Sequence, residues 1–76
     1  MTELELHGDN VLVKENGRNV DNTTGKIIAT GSYARFFRVG DIVLFRTSDG
    51  SKVLLEPSEI NHYILKEYSI LAKIRS

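Results

Sequence analysis

Apolar residues in this chain come in runs of at most four, and turn-forming residues interrupt them. The turn markers recur at a spacing of roughly eight to twelve residues, the signature of an all-β domain. No apolar run is long enough for a bilayer span. With 76 residues the chain has room for one domain, taken here as 1–76.

The strands can be placed from these interruptions. Asn10 to Lys14 is the first, with Val11 and Val13 on one face and Leu12 on the other. Leu4 and Leu6 alternate with Glu3, Glu5 and His7, so a half-buried strand is expected to lead into it through a bend at Gly8-Asp9. Residues 15–24 hold a single apolar residue, Val20, and an Asn-Gly pair. This reads as a surface loop or loose hairpin. Its functional reading is a partner-binding loop centred on Asn19, Val20 and Asp21. Lys26 to Thr30 is a second strand, whose consecutive Ile27 and Ile28 imply cover on both faces. Ile42 to Phe45 is wholly apolar and reads as a central strand. Asp49-Gly50 then predicts a hairpin returning along Lys52 to Leu55, ended by Pro57.

The tail fits two patterns. Ile60, Tyr63, Ile64, Tyr68 and Leu71 follow helical spacing, with Ser58 as a cap. The same stretch also divides into strands His62 to Leu65 and Ile70 to Ile74 around a polar turn. A curled sheet of five earlier strands needs its edges closed, which favours two strands with the last returning to the first. The expected fold is therefore an all-β, small irregular β-barrel.

Little in the chain supports catalysis. There is no cysteine, which excludes disulfides, thiolate metal sites and cysteine nucleophiles. His7 and His62 have no partner at a metal-ligand spacing, and the serines suit turns and caps. Glu56 and Glu59 flank Pro57 as a solvated turn, and Gly25-Lys26 lacks the rest of a phosphate loop. The expectation is a non-enzyme with no catalytic residue, metal or cofactor. Ten basic and ten acidic residues, five of each in either half, argue against nucleic acid or anionic membrane as a main partner. Tyr33, Arg35, Phe36, Phe37 and Arg38 interleave aromatics with bases and supply a thin case for single-stranded nucleic acid. The opening MTELELHGD lacks a cationic region leading into an apolar one and is not expected to act as a signal peptide. The expected location is cytoplasmic.

The remaining chemistry is burial between chains. Burying apolar area and ordering the chain are opposing terms, each on the order of 115 kcal/mol at this size, and they cancel. A lone monomer has little margin. Leu4, Leu6, Ile70, Leu71 and Ile74 gather apolar side chains at the two termini, where strands tend to be edges. A homo-oligomer with these residues at its interface is expected, although the two termini could instead pair within one monomer.

Four segments together resemble the ten-kilodalton co-chaperonins, the GroES family. They are Leu6-His7 with Asp9 and Val11 to Lys14; Gly25 with Ile27 to Ala29 and Gly31; Val39 to Phe45; and Tyr63 to Leu65 followed by Ile70 to Ala72 and Ile74. The resemblance implies a β-barrel that assembles through terminal strands into a seven-membered ring. Such a ring caps a chaperonin and assists protein folding without hydrolysing ATP itself. The chain departs from the pattern in several places. Asn10 stands where the family has arginine, and the roof hairpin is cut to residues 32–38. The gripping stretch is missing from residues 15–24. A rival alignment makes Ile27 and Ile28 the chaperonin anchors. It is disfavoured, because it would delete a core strand. The alternative function is a structural or adaptor β-barrel without a chaperonin partner.

Overall fold

The computed structural model describes residues 5–18, 22–55 and 60–75. Six strands form one antiparallel sheet: β1 (Asn10–Arg18), β2 (Thr23–Thr30), β3 (Ile42–Phe45), β4 (Ser51–Val53), β5 (His62–Lys66) and β6 (Ala72–Ile74). Their order across the sheet is β4-β5-β1-β2-β3-β6.

This order corrects the expected barrel. The sheet is open, with β4 at one edge and β6 at the other. Closure was expected from a final strand returning to the first. A strand has only two sides for hydrogen bonding, and those of β1 are taken by β2 and β5. The final strand β6 therefore pairs with β3 instead.

Open does not mean flat. Residues 46–50 join β3 to β4, and residues 67–71 join β5 to β6. Each connection bridges four strand spacings, about 19 Å across a flat sheet. Each also includes a 3-10 turn, Thr47–Asp49 or Glu67–Ser69, which shortens its reach. The sheet must curl to let them span. Phe45 on β3 and Tyr63 on β5 confirm the curl, since their ring centroids lie 5.5 Å apart across the concave side.

Val11, Val13, Ile27, Val43, Phe45, Tyr63 and Leu65 line that concave side as the core, with Ala34, Phe37 and Ile70 packed against it. The alternation read from Val11 and Val13 is borne out, because both are fully buried. Between Leu12 and Val13 the register with β2 slips by one residue, so Ile28 is the extra residue of a bulge beside Ile27. Gly25 sits against Val13, Phe45 and the Lys14 carbonyl, with no room for a Cβ.

Other expectations change with the topology. Residues 5–7 are not a strand, and Leu4 lies outside the described residues. Of the two readings of residues 15–24 the hairpin holds, since β1 continues to Arg18 and pairs with β2 from Thr23, but Asn16-Gly17 lies at an irregularity inside β1. The Asp49-Gly50 hairpin is absent: Gly50 takes an extended φ of −120°, and β4 pairs with β5 rather than β3. β3 is not central but one place from the edge. Gly8, at the predicted bend, does adopt positive φ, as does Gly40 in the turn before β3.

Candidate functional site

Two surfaces stand out. The first is the edge strand β6. Its residues Ala72, Lys73 and Ile74 are all exposed, and its outer side has no strand partner among the described residues. Register sets Ile42 opposite Ile74 and Leu44 opposite Ala72. Val43 and Phe45 point into the core, so Ile42 and Leu44 point outward, and the four side chains form one apolar strip on the convex face. Leu71, immediately before the strand, is 45% exposed and Ile74 is 44% exposed.

Few interactions hold β6 in place. Beyond its short ladder, the Leu71 N–H donates to the Leu44 carbonyl at 2.8 Å. The Lys73 Nζ lies 3.3 Å from Asp41 Oδ1. Asp41 also closes the preceding turn, where the Arg38 N–H donates to its Oδ2 at 2.9 Å. That backbone donor, opposed by burial and assisted by Lys73, holds the Asp41 carboxyl below its ordinary range.

Leu4 lies outside the described residues, and the other four residues expected at the interface do not share one place. Leu71 and Ile74 are exposed at the open edge, whereas Ile70 is half-buried against the core. Leu6 is half-buried just before β1, three strands away from β6. Pairing of the two termini within one chain is not seen among the described residues. The loop candidates Asn19, Val20 and Asp21 lie outside those residues. Of the alternative anchors, Ile27 is fully buried, out of a partner's reach while β2 is folded, and Ile28 is half-buried at the bulge.

The second surface is the loop Gly31–Arg38, which is braced by Glu67. The Glu67 side chain is 5% exposed. Its Oε1 accepts the Arg35 N–H at 2.9 Å, and its Oε2 accepts the N–H groups of Phe36 and Phe37 at 2.8 and 3.0 Å. Three successive backbone donors satisfy a carboxylate that burial would otherwise penalise. The Tyr33 N–H adds a bond to the Gly8 carbonyl at 2.9 Å. Ala34 and Phe37 point into the core, leaving Tyr33 and Phe36 outside at 69% and 80% exposure. Tyr68, next to Glu67, is 81% exposed. The aromatics expected to stack on nucleic acid are thus divided, since Phe37 is a core residue.

Sequence reasoning missed Glu67, which it placed in a polar turn. Its partners are backbone N–H groups some thirty positions away, and such donors have no signature in the sequence. The histidines remain apart. His62 is buried with its Nδ1 2.9 Å from the Ile60 carbonyl, and His7 is exposed beyond the opposite end of β1. Among the described residues no cluster of His, Asp and Glu could hold a metal ion, and no helix is long and apolar enough to cross a membrane. Compared with known proteins, the chain matches no family model and no curated relative. The co-chaperonin resemblance therefore rests on its four motifs alone.

Proposed function

We propose that this chain is a non-catalytic assembly subunit that builds a homo-oligomer by adding a neighbour's strand to the open edge of β6. The observation that carries this reading is the edge itself: exposed along its length, apolar on its convex face, and without the charge or proline that blunts such edges on that face. The added strand is the segment Glu3-Leu4-Glu5-Leu6 of the next copy. It alternates acid and leucine, while Ala72-Lys73-Ile74-Arg75 alternates apolar and base. Paired side by side, leucines meet the apolar strip and glutamates meet Lys73 and Arg75.

An adaptor or structural role without a chaperonin is the reading the open sheet favours. Engagement of a chaperonin by the assembly has support only in the motif resemblance. Sedimentation at micromolar concentration tests the assembly. A mass of two or more subunits is expected, reduced to one by Ile74→Glu with the circular dichroism unchanged. A strict monomer for the parent chain would overturn the proposal.

A further inference from the structure

The chain is neutral overall, yet the fold sorts its charges. The six strands hold five lysines, one arginine and a single acid, Glu15. Register then assigns a face to each group. Glu15 is opposite Gly25, which packs against Val13 and Phe45 of the core, so this acid belongs to the concave side. Lys14 and Lys26 adjoin the fully buried Val13 and Ile27 and therefore point from the convex side.

Those two lysines are also directly opposite each other across the β1–β2 ladder. Like charges in that position repel and weaken a sheet. Lys14 is half-buried, Lys26 is exposed, and neither side chain has an acid or hydrogen-bond partner among the described residues. The two charges thus oppose the fold rather than support it. The same row continues on both sides. His62 is opposite Lys14, and Val53 is opposite His62. Ile42 is opposite Lys26, and Ile74 is opposite Ile42. From β4 to β6 the row reads Val53, His62, Lys14, Lys26, Ile42 and Ile74, with no acid in it.

The order of the row fits one shape of ligand. From the midpoint of the two lysines to Ile42, or to His62, is one and a half strand spacings, about 7 Å. Alternate residues of an extended polypeptide are also about 7 Å apart. A segment crossing the strands can therefore set one carboxylate between the two ammonium groups and its next apolar side chains over Ile42 and over the His62–Val53 pair. A nucleic-acid backbone is charged at every step and would set phosphates against the apolar positions. An anionic bilayer needs apolar side chains that project into it, and Val53 and Ile42 are half-buried within the sheet.

We propose that the convex row at Lys14 and Lys26 binds an extended segment of a partner protein, of pattern apolar–x–acid–x–apolar, laid across the strands. The bound carboxylate removes the repulsion that the empty pair carries. The contact goes beyond the β6 pairing and joins a different protein, so a chain made monomeric by Ile74→Glu keeps its lysine pair.

The capped peptide Leu-Thr-Glu-Thr-Leu, titrated into the full-length chain at low salt and followed by NMR, tests the row. Saturable shifts are expected at the Lys14, Lys26 and Ile42 amides, weakening as salt screens the ammonium charges. Lys26→Glu should bind the peptide about tenfold more weakly or worse. It should also melt higher than the parent, because an attracting pair replaces a repelling one. Lys52→Glu makes the same change of charge at a residue opposite the core residue Tyr63, on the other side of the sheet, and should leave binding unchanged. The doubly reversed Lys14→Glu/Lys26→Glu chain should instead prefer the peptide with lysine in place of glutamate. None of these readings depends on the mass of the parent chain. Absence of saturation at about millimolar peptide would overturn the proposal. So would equal binding by Lys26→Glu, a lower Tm for that variant, or tighter binding of a duplex oligonucleotide or of phosphatidylserine vesicles at the same amides.

Discussion

Glu67 is a nearly buried carboxylate, and such a group must find donors or be desolvated without return. Here three consecutive backbone N–H groups supply them. Glu67→Gln keeps the shape but removes the charge and turns one oxygen into a donor that faces N–H groups. At least one of the three loop donors then loses its acceptor, the Arg35 N–H if the amide oxygen stays with Phe36 and Phe37. The expected cost is about 1–3 kcal/mol, which for a domain of this size is a fall in Tm of several degrees. Hydrogen exchange of the Arg35, Phe36 and Phe37 amides should speed up in the variant while the β1 and β2 amides stay protected. Equal exchange at those three amides in parent and variant would show that the carboxylate does not brace the loop.

At the scale of elements, much of the pattern was legible and its reasons are local. The Val11/Val13 alternation, the bend at Gly8 and the division of the tail around Lys66–Ser69 all follow from residues within a few positions of each other. Pairing was not legible where it depended on the curl. Asp49-Gly50 looks like a hairpin turn, but curling carries β4 over to β5, and Gly50 is packed against the Leu65 side chain in an extended conformation. Ile27-Ile28 reads as a strand covered on both faces, and only the bulge decides that Ile27 takes the core. β6 is a short edge strand, and Asp41 is one of its ties through Lys73. The Asp41 carboxyl titrates below its ordinary 3.8, so the folded state favours its ionised form. Its contribution is fully present above 3.8 and is lost as pH falls through the lower folded-state value. The stability difference between the parent and Asp41→Asn, from urea midpoints, should be constant near neutrality and shrink below pH 3.8. A difference that does not change with pH would separate Asp41 from the tie.

Over the whole molecule, an open sheet has a consequence that a closed barrel would not. Each chain keeps two edges, β4 and β6, and a core drawn from only one face of a small sheet. The candidate edge was legible in the sequence as apolar residues near the C-terminus; that β6 borders β3 and not β1 was not, because it depends on which sides of β1 are already filled. If neighbours complete the β6 edge, folding and assembly are linked, and stability depends on concentration. Once the edge is saturated, each tenfold dilution removes up to about 1.4 kcal/mol of that linkage. With about 4–8 °C of Tm per kcal/mol in a domain of this size, Tm should fall by several degrees per decade of dilution. Ile74→Glu should melt at a Tm independent of concentration, near the value the parent approaches at high dilution, since the substitution lies on an exposed side chain outside the core. Calorimetry on both chains over a hundredfold range, about two decades on this scale, decides the matter. Identical concentration-independent curves would mean that the edge stands open in solution as it does here, and that the monomer's core is sufficient alone.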